Sequence, residues 1–272
     1  MDSLLPLRHR ILKLRLATST RPTWHDLQSR FPAHARRDAR LHNVADVSVL
    51  DREMYSEAEA ARLLGVAQST LNYWLEGGVR RGKSYRPIIR TEATGGRSPV
   101  TWAEFVEAGL LRSYRRDLGV RMAELREFID LLRTDFDVPY PLADRRPWVS
   151  GRDLVFEAQE RSRLDPEFWI VSNVGGQLLL LPPGDEFYRR VTWSPDGTPA
   201  AWRPADNEQS TVVIDPERRF GKPSVAGIST EAIWEHSSAG EDEDEEEIAA
   251  SFDLILADVR WALSYETARR AA

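Results

Sequence analysis

The chain has no cysteine among its 272 residues. That absence excludes disulfide scaffolds, thiol catalysis and cysteine-ligated zinc sites. Lysine is almost as scarce, standing only at positions 13, 83 and 222, so arginine carries nearly all of the positive charge. No window approaches the run of about 18 apolar residues that a membrane-spanning helix needs. Near the start, Ile11-Leu12-Lys13-Leu14-Arg15-Leu16 is broken by charge where a secretion signal would hold an unbroken apolar core. A cytoplasmic location is therefore expected. The five histidines, His9, His25, His34, His42 and His236, lack metal-ligand spacing, and no Walker loop, dinucleotide fingerprint or nucleophile elbow is present. Neither catalysis, a cofactor nor a bound metal is expected.

What is present is an ordinary folded composition, 42% apolar and 29% charged. The net charge of -6 conceals an asymmetry. Residues 1–133 carry 23 Lys and Arg against 16 Asp and Glu, whereas residues 134–272 carry 14 against 27. A basic front half suits a polyanionic partner, and an acidic back half does not.

Residues 1–53 read as an extension with a short helix near Leu7 to Leu16 and an arginine-rich stretch from Arg36 to Arg40. The pattern sharpens after Tyr55. Ser56 followed by Glu59 predicts a capped helix over Glu57 to Leu64, stopped at Gly65. A second helix is predicted from Gln68 to Leu75, ended by Gly77-Gly78. Ala61 is small where two steeply crossing helices approach, and Gly65 permits the reversal between them. Leu64, Val66, Leu71 and Trp74 fill the wedge. All these positions agree at once with a DNA-binding helix-turn-helix.

Residues 79–101 are expected to form a wing, with a strand from Tyr85 to Arg90, a turn around Gly95-Gly96 and a return strand from Pro99 to Thr101. Thr101 with Glu104 makes a second capping box opening a helix to about Arg116. Another helix spans about Arg121 to Asp135, with Leu125, Phe128, Ile129 and Leu132 on one face as core or dimer surface. Beyond Pro139 and Pro141, short strands are predicted at Leu154 to Glu157, Phe168 to Val171, Val191 to Trp193 and Ala200 to Trp202, the last two joined by Ser194-Pro195-Asp196-Gly197. A polar linker over 204–211 leads to a strand at Val212 to Ile214. Three helices follow, at about Thr230 to Ser237, Glu243 to Phe252 and Leu256 to Arg270. The expected fold class is α+β, mainly α. Its parts are an extension (1–53), a winged helix-turn-helix (54–136), a β-containing middle segment (137–204) and a C-terminal three-helix, helix-turn-helix-like domain (212–272).

The order of these parts resembles a known bacterial family. Tyr55 to Leu75 is similar to a MerR-like helix-turn-helix. The C-terminal domain carries Ile214-Asp215-Pro216, Phe220-Gly221-Lys222-Pro223 and Val225-Ala226-Gly227, and resembles, most specifically over Asp215 to Tyr265, a domain of formerly unknown function found in antitoxins. Gly175-Gly176-Gln177 and Tyr188-Arg189-Arg190 carry the middle segment. The whole looks like the VapB-type antitoxins. That resemblance implies a PIN-like ribonuclease toxin as partner and repression of the protein's own operon. The chain departs from the family pattern in its seven consecutive acids, Glu241 to Glu247, and in reading Gly227-Ile228-Ser229 where Gly-Thr-Arg is usual.

On this reading Gln68, Ser69, Asn72 and Tyr73 face outward from the recognition helix and read base edges in the major groove of double-stranded operator DNA. Thr70 is a candidate phosphate contact, and Arg80, Arg81, Lys83 and Arg86 neutralise backbone phosphates. A homodimer is expected, since two-fold proteins match palindromic operators. The acidic run is read as a solvated helix start, with a basic toxin surface as a second possibility. Arg269 and Arg270 are candidates to reach an acidic nuclease site. The alternative is a stand-alone MerR-like regulator that senses a ligand through its middle segment.

Overall fold

Hydroxyl caps start two of the helices in the computed structural model, which describes residues 48–96, 98–117, 119–205, 207–239 and 244–271. The expected extension lies outside the described residues apart from its last six. Strand β1 (Glu53–Tyr55) leads into α1 (Glu57–Leu64), where the Ser56 hydroxyl accepts the Glu59 amide proton at 3.2 Å. Gly65, at φ 63°, turns the chain into α2 (Gln68–Glu76), which stops at Gly77. Ala60, Ala61, Leu64, Leu71 and Trp74 are buried between them.

The wing differs from expectation. Strands β2 (Gly78–Arg80) and β3 (Lys83–Tyr85) pair antiparallel straight after α2, with Arg81-Gly82 as the connecting turn. Both turn residues have positive φ, 51° and 75°, as a two-residue hairpin with right-twisted strands demands. Gly78 thus opens the hairpin as well as following the helix stop. Residues Pro87 to Arg90 are buried irregular chain, because Pro87 cannot donate to a ladder. The return strand exists as β4 (Val100–Thr101), but it pairs with β1 rather than with the wing.

Thr101 and Glu104 form a full capping box on α3 (Trp102–Arg112). The helix continues as a π turn over Ser113–Asp117 before Gly119, and α4 (Met122–Phe136) follows. Its Leu125, Phe128, Ile129 and Leu132 face the core.

In the middle segment, α5 (Arg146–Val149) and α6 (Arg152–Arg161) replace the strand expected at Leu154 to Glu157. A short apolar run does not distinguish strand from buried helix. Here Val155, Ala158 and Gln159 are buried at helical spacing, and the Gln159 amide completes the edge of the next strand by donating to the Val171 carbonyl at 2.8 Å. Strand β5 (Val171–Val174) begins where the expected strand ended and pairs with β6 (Gln177–Leu180) around Gly175-Gly176. Helix α7 (Pro182–Arg190) was not anticipated, although prolines suit a first helical turn whose amides have no partner anyway. Strands β7 (Val191–Trp193) and β8 (Pro199–Trp202) make the expected hairpin.

Val212 to Ile214 forms isolated bridges rather than a strand. Ile214 exchanges two 2.8 Å backbone bonds with Trp202, and Val213 pairs with Ser224. A small hairpin, β8's neighbour in sequence, joins β9 (Ser224–Val225) to β10 (Ile228–Ser229). The three C-terminal helices are α8 (Thr230–Ala239), α9 (Glu245–Phe252) and α10 (Leu256–Ala271).

The result is an α+β fold dominated by helices, with two-stranded sheets among the described residues. One apolar core runs from Tyr55 to Ile214 and takes Trp74, Trp102, Phe105, Phe128 and Trp148 from both the α1–α4 region and the middle segment. A second, smaller core of Val212, Val225, Ile233, Ile248, Val259 and Ala262 holds the C-terminal helices. No helix among the described residues is long and apolar enough to cross a membrane.

Candidate nucleic-acid interface

The turn at Gly65 sets α2 across α1 and leaves Gln68 and Ser69 exposed at its first turn. Thr70 is half-buried beside them. Asn72 is not free: its amide nitrogen donates to both carboxylate oxygens of Glu57, at 3.0 and 3.3 Å. Tyr73 corrects the expectation of an outward side chain. It is 8% exposed, because the hairpin that follows α2 folds back over it. The Arg80 guanidinium lies 3.9 Å from its ring centre, and Tyr85 meets it edge-on at 6.4 Å. Tyr73 thus anchors the β2–β3 hairpin to α2.

The hairpin register places Arg80 directly opposite Lys83, with Arg81 in the turn between them. Like charges facing each other across a strand pair repel. All three side chains are exposed, and Val79 beside them is 71% exposed. The tip is a projecting cationic finger that forms no ion pair among the described residues. Arg86 stands apart from this cluster. It is exposed but ion-paired with Asp130 on α4, so part of its charge is already answered.

Two arginines absent from the expected set hold the wing in place. Arg126 donates to the carbonyls of Arg86 and of Pro87, the latter at 2.7 Å. Arg133 donates to the Ile88 carbonyl at 2.6 Å, to that of Ile89, and to Pro139 at 2.8 Å. Pro87 and its neighbours present bare carbonyls, and guanidinium groups on α4 satisfy them. Arg90 does the same for the loop before β4. Buried at 4%, it bonds Glu104 through Nε at 2.8 Å and Nη2 at 3.1 Å, and pairs with Glu76 at the end of α2. Burial disfavours the Arg90 charge, but the two carboxylates outweigh it and hold its pKa above the usual range. Burial likewise works against the Glu76 carboxylate. Bonds from Thr94 and the Gly95 and Gly96 amides, with the Arg90 charge, still bring its pKa below the usual range. These spacings are visible in sequence only as scattered charges; their pairing is tertiary.

Behind this layer sits Glu107 of α3, fully buried. Its Oε1 accepts the Leu142 amide at 2.9 Å, whereas its Oε2 accepts no hydrogen bond. Burial pushes its pKa from the ordinary 4.5 up to about 7; the Arg133 charge at 3.7 Å and the Leu142 bond oppose the rise, and Glu104 adds to it.

The C-terminal segment reaches back to β1. The Tyr55 hydroxyl donates to the Gly221 carbonyl at 2.6 Å, and Arg52 donates to the Pro216 carbonyl at 3.1 Å. Gly221, at φ 69°, lies so close that an added Cβ would stand 2.3 Å from the Tyr55 hydroxyl. This explains the glycine in Phe220-Gly221-Lys222-Pro223. In the acidic run, Asp244 caps α9 by accepting the Glu247 amide proton at 2.9 Å, and Glu245 pairs with Arg260 at 2.7 Å. Residues 241–243 of the run lie outside the described residues. Arg269 and Arg270 both pair with Glu266, at 2.5 and 3.5 Å; Arg269 is 12% exposed, and Arg270 remains exposed.

The chain is 34% identical over 239 residues to the uncharacterized protein Rv2308 of Mycobacterium tuberculosis, covering 84% of this chain and 97% of that protein. The chain belongs to the Rv2308 family. Within it, residues 212–265 match a family described as a protein of unknown function, DUF433, over the segment that builds the second core. A further relative is the M. tuberculosis protein provisionally named antitoxin VapB45, 27% identical over 189 residues, covering 65% of this chain and 78% of that protein. The crystal structure of Rv2018 from M. tuberculosis shares the fold. Its TM-score is 0.63 at 24% identity, covering 79% of this chain and 99% of that one.

Proposed function

We propose that this member of the Rv2308 family is the antitoxin of a two-component toxin–antitoxin pair. It neutralises a PIN-like ribonuclease toxin by direct binding and binds operator DNA, as a homodimer, to repress its own operon. It acts by binding and not by catalysis. The observation that carries the reading is the relationship to the protein provisionally named antitoxin VapB45, which extends over 78% of that protein. The cationic finger of Arg80, Arg81 and Lys83 beside the exposed first turn of α2 supports the DNA half of the reading, since repelling charges at a projecting tip gain most from a polyanion.

In the test, the gene beside this one is expressed alone and then together with this chain. Growth arrest in the first case, relief in the second and co-purification of the two products are expected. The purified pair should retard the DNA upstream of its own gene. A neighbour that is harmless alone, or a toxin that this chain neither binds nor silences, sinks the antitoxin reading.

A further inference from the structure

Beside α2, on the flank away from Glu57, lies a cleft of about 830 Å³. The turn between α1 and α2 forms its floor, with Thr70 and Tyr73 on one wall. Four arginines line it and no acidic residue does: Arg62 from the end of α1, Arg80 from the wing, Arg115 from the π turn and Arg269 from α10. Their states differ. Arg269 is 12% exposed and bonds Glu266 through Nε at 2.9 Å, so its charge is answered within the fold. The other three are exposed. Arg80 lies over Tyr73, Arg115 donates to the Val120 carbonyl at 3.1 Å, and none of the three forms an ion pair among the described residues.

Three guanidinium groups without a carboxylate partner among the described residues, around one open cleft, repel one another, and the repulsion is relieved by an anionic occupant. The volume far exceeds one phosphate group. The cleft also shares Thr70 and Arg80 with the face proposed above to meet DNA. A helix lying in the major groove has a phosphate strand on each side of it, so the flank of such a helix is where a strand must pass.

We propose that this cleft seats the phosphodiester backbone of one DNA strand, and that Arg62 and Arg115 join Arg80 as its phosphate contacts. The proposal rests on the DNA-binding part of the function proposed above and adds a binding surface from two elements outside the helix–wing pair.

The experiment measures anisotropy of a fluorescein-labelled duplex, taken from DNA upstream of the gene, as the full chain is added across about 50 to 200 mM salt. The double variant Arg62→Gln, Arg115→Gln should lower the slope of log affinity against log salt by about 2, and Arg62→Gln alone by about 1. Arg161→Gln, at an exposed arginine paired with Asp135 at 2.9 Å, serves as the charge control and should leave the slope unchanged. Thermal melting of each variant checks that it is folded. If the parent binds the duplex and the double variant keeps the full slope, the cleft assignment is overturned while the DNA reading stands. If the folded parent binds no duplex at the lowest salt, the DNA reading falls and takes the cleft with it. Binding of a polyglutamate peptide but not of the duplex, lost in the double variant, would assign the cleft to an acidic protein segment and overturn the proposal.

Discussion

At the scale of single residues, neighbours in sequence part company. Asn72 and Tyr73 stand side by side in α2, yet one is bonded to Glu57 and the other is roofed by the wing. An Asn72 amide that reads adenine must first leave Glu57, which lowers its net contribution below that of an unengaged amide. Glu107 offers a sharper test. Its pKa in the folded chain is raised to about 7 from 4.5, so between these values the folded state binds more protons than the unfolded state. Its contribution to stability is fully present below about pH 4.5 and is lost as pH rises through about 7. In Glu107→Gln the amide oxygen still accepts the Leu142 N–H and the charge is gone. Urea denaturation across this window should show parent stability falling relative to the variant by an amount on the order of 3 kcal/mol. A pH-independent difference would show that Glu107 does not titrate between those limits.

At the scale of elements, α1, α2, the turn between them and the capped helices could be read directly because each depends on residues close together in sequence. Ser56 caps α1, Thr101 caps α3, and Gly65 and Gly77 end their helices. The wing was displaced by several residues because its signal, Arg81-Gly82, is a weak turn marker against the stronger Gly95-Gly96. The middle segment was misread at Leu154 to Glu157 for the same kind of reason: three consecutive apolar residues carry no period of their own. Gly77 matters beyond its helix. A Cβ there would stand 2.3 Å from the Tyr85 carbonyl oxygen, and its φ is 72°. Gly77→Ala should therefore cost more than about 1 kcal/mol and detach the wing from α2. Denaturation would read the cost, and faster amide exchange at Val79 to Tyr85 would read the detachment. Unchanged exchange there would place the wing's hold elsewhere.

At the scale of the whole molecule, the two cores meet through the chain around Val213. Trp202 and Ile214 of the first core exchange two backbone bonds, Val213 pairs with Ser224 beside Val225 of the second core, and the Tyr55 hydroxyl reaches Gly221. Strand β1 and the segment that leads into the C-terminal helices therefore share a frame. Gly221→Ala should break that frame locally, since the new methyl group displaces the Tyr55 hydroxyl. The expected outcome is loss of more than about 1 kcal/mol of stability and quicker proteolysis near Phe220, which is 91% exposed, with the helices of the second core left intact. Cleavage at the parent rate would show that the Tyr55 contact does not hold this segment.

The sequence by itself determined where the capped helices α1 and α3 begin and where α1 and α2 end, the hairpin around Ser194 to Gly197, the absence of thiol chemistry and the placement of basic residues in the front half. Each of these follows from local sterics, local hydrogen bonds or composition. The tertiary structure alone decided that Tyr73 is buried, that Glu57 occupies Asn72, that Arg90, Arg126 and Arg133 tie down the chain after the wing, and that Arg62 and Arg115 share a cleft with Arg80. The reason is physical: a charge is answered or left open by whatever stands a few ångströms away, and in this chain those neighbours come from tens of residues apart.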